Sequence, residues 1–158
     1  MGTKLPDDEE LERLFEQMSP EVQKEIDNQH TPRLITEFTY NNFVYLETGL
    51  IDLKIEFKYG HYEVCYKTGY CPEYIPEPIV LNAIDTDKLD EFLTELNVKR
   101  WKNNYVKDYI LDGDDWTITV KFCDGSKRKI TGSNHYPTKW PRFEALLTWI
   151  QEKRKEYK

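Results

Sequence analysis

Cysteine and histidine are the side chains in this sequence whose pairing could make a nucleophile. Cys123 and His135 are the best placed for it, on the expectation that both lie near one end of a C-terminal hairpin. A thiolate needs an electropositive setting, and the neighbouring Asp124 would raise a thiol pKa rather than lower it. The pair is therefore not read as catalytic, and no enzyme activity is expected. The acid-rich run Asp112-Gly113-Asp114-Asp115, preceded by Asp108, resembles part of an oxygen-rich calcium loop. It lacks the spacing and the closing glutamate of such a loop and reads as a turn. His30, His61 and His135 are far apart, and Cys65, Cys71 and Cys123 stand at no zinc-ligand spacing. No metal or cofactor is expected. Phosphate-cradling glycine loops, nucleophile elbows and dinucleotide fingerprints are missing from the sequence.

Binding residues are easier to nominate than catalytic ones. The loop Gly132-Ser133-Asn134-His135-Tyr136-Pro137 joins a hairpin to a helix expected after Thr138, so polar side chains sit beside free backbone donors at a helix start. Asn134, His135 and Tyr136, with Lys127 and Arg128 of the hairpin, could hold an anion there. In the competing reading Thr138 caps the helix, Gly132 answers a backbone requirement, and Asn134 and Tyr136 satisfy the loop's own backbone. Four Trp, eleven Tyr and seven Phe exceed what the core needs, and interfaces favour such side chains. Trp149 lies to one side of the last helix's buried stripe (Phe143, Leu146, Leu147, Ile150) and Trp140 at its other edge. Trp149 is the leading exposed anchor. Trp101 and Tyr105 either extend an aromatic and basic surface or close the sheet edge.

These residues need elements to position them. The run Trp116 to Phe122 alternates, and so does its return strand from Lys127 to Thr131. A one-residue slip would move Ile130 to the polar face. A three-residue loop, Cys123-Asp124-Gly125, pairs Ile118 with Ile130 and is preferred, with Gly125 in the left-handed position of a bulge. Ile51, Leu53, Ile55 and Phe57 turn through Tyr59-Gly60 into Tyr62, Val64 and Tyr66, a two-residue hairpin. Leu34 to Tyr40 reads as a strand, with Phe43 to Leu46 its continuation or a separate strand. Gly69 to Pro78 carries three prolines and reads as a loop. Ile79 to Ile84 reads as a strand, and Asp85 or Thr86 caps a helix with the stripe Leu89, Phe92, Leu93 and Leu96, stopped at Asn97. At the N-terminus Leu11, Leu14, Phe15 and Met18 form an amphipathic stripe, and Ser19-Pro20 starts a second short helix. The fold class is α+β: an antiparallel sheet built from hairpins with helices packed on it. Residues 1–30 form an acidic helical segment and 31–158 a single domain.

The segment from about Leu89 to Ile150, with Trp101, Asp112-Gly113, Trp116, Asp124-Gly125, Gly132 and Tyr136-Pro137, resembles a domain of uncharacterised small proteins of Gram-positive bacteria and their mobile elements. The resemblance covers under half of the chain and implies a fold, with no activity or catalytic residue.

Length and charge bound the function. At 158 residues the chain can bury a core without disulfide or metal staples. No apolar run is long enough to cross a bilayer, the N-terminus lacks a signal-peptide core, and a cytoplasmic protein is expected. Residues 1–30 hold nine acids against three bases, and residues 121–158 ten bases against four acids, within a total of −7. Such a chain is a poor general nucleic-acid binder. The favoured expectation is a non-enzymatic inhibitor or immunity-type protein. It would bind a protein partner, or a second copy of itself, through an acidic front, Asp7 to Glu16, and exposed aromatics. The alternative is a small-molecule or nucleotide-binding domain using the loop Gly132 to Pro137.

Overall fold

The computed structural model describes residues 33–44, 50–69, 77–106 and 114–157, together with Pro20. Seven strands form one sheet: β1 (Ile35–Val44), β2 (Leu50–Lys58), β3 (His61–Thr68), β4 (Ile79–Val80), β5 (Asn104–Val106), β6 (Asp114–Phe122) and β7 (Lys127–Ser133). Their order across the sheet is β4-β3-β2-β1-β6-β7-β5. Helix α1 (Ala83–Leu96) follows β4, a 3-10 turn (Val98–Arg100) leads to β5, and helix α2 (Trp140–Glu156) closes the chain. The expected α+β class holds. The sheet is antiparallel except at one edge, where β5 runs parallel to β7. The helices expected within residues 1–30, the acidic front and the loop 70–76 lie outside the described residues, Pro20 apart.

Alternation decides which face of each strand is inside. Phe38 and Tyr40 of β1, Leu53 and Ile55 of β2, Tyr62, Val64 and Tyr66 of β3, and Trp116, Ile118, Val120 and Phe122 of β6 are all buried. Both hairpins keep the expected register. Lys58 pairs with His61 across Tyr59-Gly60, both at positive φ (54° and 83°), a primed two-residue turn whose twist suits the strands. Ile118 pairs with Ile130. The amide of Phe122 donates to Ser126 O at 2.9 Å around Cys123-Asp124-Gly125, and Gly125 has φ 88°. Strand β1 runs unbroken through Asn41-Asn42 to Val44, because it is paired on both sides, by β2 and β6.

Three boundaries differ from the sequence reading. The strand expected over Ile79 to Ile84 stops at Val80, and α1 begins at Ala83. Asn82 is the cap in place of Asp85 or Thr86, since its Oδ1 accepts the Asp85 amide at 2.8 Å. Asn97 ends α1 in the left-handed conformation, as expected. Helix α2 starts at Trp140 with no side-chain cap, so Thr138 does not cap it. The missed element is β5, three residues that close the sheet edge beside β7.

The two helices pack antiparallel. Glu95 near the end of α1 meets Arg142 at the start of α2 at 2.7 Å. Asp85 in the first turn of α1 accepts Tyr157 Oη at 2.6 Å and Lys153 Nζ at 3.2 Å from the end of α2. Leu89, Leu93 and Leu96 of α1 and Phe143, Leu146 and Ile150 of α2 join the sheet's buried face in one core. At the start of β1, Arg33 pairs with Asp87 at 2.9 Å and Asp90 at 3.2 Å, tying that strand to α1. Removing the cap tests the α1 boundary: Asn82→Ala should lower unfolding free energy by about 1 kcal/mol. An unchanged urea midpoint would refute the assignment.

Candidate functional site

Five of the nine nominated binding residues meet around Trp116. Ring centroids lie 4.6 Å apart for Trp116 and Trp140, 4.9 Å for Tyr136 and Trp140, and 6.4 Å for Trp101 and Trp140. Tyr105 sits 5.9 Å from Trp116 and 5.8 Å from His135. The cluster continues inward through Phe143, 4.8 Å from Trp140, to Tyr40, 4.7 Å further on. Trp101, Tyr105, Trp116 and Trp140 are buried, so the cluster is the sheet's core at this end. Trp101 closes the edge, its Nε1 donating to Leu96 O at 2.8 Å. The Tyr105 hydroxyl accepts the Lys102 amide at 2.8 Å.

Gly132 makes room for this cluster. It faces Trp116 across β6 and β7 and Tyr105 across β7 and β5. A Cβ there would lie inside the Trp116 indole, so the position needs glycine for packing. The expected backbone requirement is replaced by a steric one, for Gly132 is not among the residues of positive φ.

Asp114 holds the loop. Its carboxylate accepts the Asn42 side-chain amide and, at 2.6 Å, the Tyr136 hydroxyl. Its amide donates to Asn134 Oδ1 at 2.9 Å, and its carbonyl accepts the Asn134 amide at 3.0 Å. Trp116 Nε1 donates to His135 O at 3.1 Å. Asn134 stands at φ 52°, a conformation asparagine tolerates. Burial, and then the Asp114 carboxylate, push the Tyr136 hydroxyl well above its ordinary range. Of the loop's nominated side chains, His135 is the exposed one.

The remaining nominations fall elsewhere. Arg128 is a clamp: it donates to Val98 O, to Trp101 O at 2.6 Å and to Asn103 Oδ1 at 2.7 Å. This stitches the turn segment Val98 to Asn103, before β5, to β7, an anion-binding role being displaced by three internal acceptors. Lys127 is exposed at the turn end of the hairpin. Trp149, expected as the exposed anchor, is part-buried between the helices, 5.6 Å from Phe92, with Lys153 Nζ 5.6 Å over its ring. Helix α1 covers it, which the period of α2 alone could not show. Cys123 and His135 do not share a hairpin end. Cys123 lies in the turn and His135 beyond the far end of β7, a strand spanning roughly 20 Å at the usual rise.

Among the described residues no group of three or more His, Cys, Asp or Glu side chains could hold a metal ion. No described helix is long and apolar enough to cross a membrane. The chain matches no protein-family model, and no curated protein is significantly similar to it.

Two predictions test this core. Gly132→Ala forces the Trp116 indole off its seat and should cost about 2 kcal/mol by overpacking. Unfolding free energy within 0.5 kcal/mol of the parent would contradict the clash. The second concerns base. Tyr157 is pushed up to about 12 by burial, and Tyr40, Tyr62 and Tyr136 higher still, also chiefly by burial. A raised folded pKa gives stability that is whole below the ordinary value of 10.0 and lost as pH rises beyond it. Alkaline titration should therefore unfold the protein, with these tyrosinates appearing together with loss of near-ultraviolet dichroism. Their ionisation with tertiary dichroism intact would refute it.

Proposed function

We propose that this chain is a non-enzymatic inhibitor or immunity-type interaction protein, of bacterial or mobile-element origin, that binds a protein partner. The observation that supports the reading is the sheet face that, among the described residues, is turned away from α1 and α2. Its rows are polar across many strands. Asp52, Asn41, Thr117, Thr131 and Asn104 adjoin in one row, and Lys54, Thr39, Thr119 and Lys129 in the next. A third row passes from Glu63, Glu56 and Glu37 to Lys121 and Lys127. Ion pairs knit it: Lys121 to Glu37 at 3.0 Å, Lys54 to Glu56 at 3.2 Å, and Lys58 to Glu56 and Glu63 at 3.6 Å each.

In the third row the carboxylates lie on β3, β2 and β1 and the lysines on β6 and β7. Such patterning suits recognition of a complementary protein surface, where charge sets orientation and encounter rate more than affinity. The acidic front Asp7 to Glu16 would add steering towards a basic partner. The aromatic anchors of the sequence reading drop out of the proposal, because Trp101, Trp140 and Trp149 are engaged inside the fold. The alternative, a small molecule held at Gly132 to Pro137, loses support because Asn134 and Tyr136 are bonded to Asp114.

Photo-crosslinking residues placed at Thr119 or Thr131 in the source cell should capture one protein partner. The same residue at Thr148, on an exposed part of α2, should not. Lys121→Glu with Lys129→Glu should weaken that complex at least tenfold. No capture, or equal capture from Thr148, would overturn the proposal.

A further inference from the structure

Where the core ends at the rim of β3, a cavity of about 330 Å³ opens between the sheet and α2, lined by Tyr66, Thr68, Gln151, Arg154 and Lys155. It lies apart from the loop Gly132 to Pro137 and from the open sheet face. Its residues come together for simple geometric reasons. Gln151, Arg154 and Lys155 are three and four apart on α2 and so share a side. Tyr66 and Thr68, two apart on β3, point the same way. The volume is at the lower end of the range for small-ligand sites, roughly 300 to 1,000 Å³.

The cavity's polar groups are oriented and cationic. Gln151 Nε2 donates to Tyr66 Oη at 2.8 Å, which holds both side chains in place and leaves the tyrosine proton for another acceptor. The Arg154 guanidinium lies over the Tyr66 ring, its carbon 5.0 Å from the centroid. A guanidinium stacked on an aromatic face is steadied while its N–H edge stays open for an oxyanion. The basic run Lys153-Arg154-Lys155 divides by helical phase. Lys153 turns to α1, where it meets Asp85, and it also pairs with Glu156 one turn on along α2. Arg154 and Lys155 turn to the cavity, and neither has a carboxylate within 4.0 Å among the described residues. Two cations with no carboxylate partner among the described residues, beside a tyrosine, a threonine hydroxyl and an amide, form a setting for a doubly charged oxyanion, because the guanidinium fork matches phosphate and carboxylate alike.

We propose that this cavity binds a small molecule through a phosphate or dicarboxylate group, with Arg154 and Lys155 neutralising its charge and Thr68, Tyr66 and Gln151 orienting it. The site is independent of the open sheet face, so it can fail without touching the interaction reading. The acidic chain, at −7 overall, repels free anions in general. Retention of one would have to come from this local arrangement.

Amide spectra of the full chain titrated with inorganic phosphate, and separately with succinate, at constant ionic strength test the proposal. Saturable shifts at Thr68 and the Gln151 side-chain amide are expected with at least one of the two. Saturation by phosphate alone assigns a phosphate ligand, and by succinate alone a dicarboxylate. R154Q and K155Q should each weaken that binding about tenfold, while Lys129→Gln on the open face should not. R154K, which keeps the charge and loses the fork, should fall between R154Q and the parent. Saturation by neither anion, or binding undiminished in both R154Q and K155Q, would overturn the proposal.

Discussion

The seat of Trp116 on Gly132 is the constraint on which this end of the structure depends. A strand residue without a side chain lets the indole of its cross-strand neighbour lie flat over the backbone, close enough that a single methyl would collide with it. Once the indole is there, Trp140 and Tyr105 pack on it, and the start of α2 is drawn down onto β6. The indole nitrogen then holds the His135 carbonyl. Aromatic pairs of this kind contribute about 0.5–1.5 kcal/mol each beyond their buried area, so a chain of them makes a stiff corner. Trp101, Tyr105, Trp116 and Trp140 are thus absorbed by packing.

The same economy governs the polar residues near that corner. Asp114, first residue of β6, accepts bonds from Asn42 of β1 and from Tyr136 of the loop after β7 on its carboxylate, and its amide donates to Asn134 of the same loop, so one residue secures β1 and that loop to β6. Arg128 does the reverse with one guanidinium, satisfying carbonyls of the segment that leads into β5. Buried or half-buried polar groups are costly unless paired. For Asp114 the partners are the Asn42 and Tyr136 side chains, and for Arg128 they include backbone carbonyls of the segment before β5, which has no ladder of its own to satisfy them. These groups are thus turned inward and engaged within the fold.

Much of this was legible before the fold was known. Both hairpin registers followed from alternation and turn chemistry, because Ile130 had to join Ile118 and Gly125 suited the bulge. The left-handed stop at Asn97 and the stripes of both helices were equally readable. The cap of α1 was misplaced by three residues, since Asn82, Asp85 and Thr86 are all good capping types and only the backbone path from β4 chooses among them. Strand β5 was missed because three residues carry no period, and its pairing with β7 is parallel and distant in sequence. Trp149 was misjudged because one helix's period says which side is apolar but not what covers its flank, here Phe92 of α1.

Local chemistry therefore determined the hairpins and the helix stripes of this protein: alternation, turns and stripes are properties of neighbours along the chain, and the sequence displays them directly. Tertiary structure decided what each polar and aromatic group does. Arg128 became a clamp when β5 came beside β7, and Tyr136 became a strut when Asp114 came beneath it. Tyr66 and Arg154, far apart in sequence, became two walls of one cavity. Such roles depend on contacts between distant segments, and those exist only after the sheet order and the helix packing have been set.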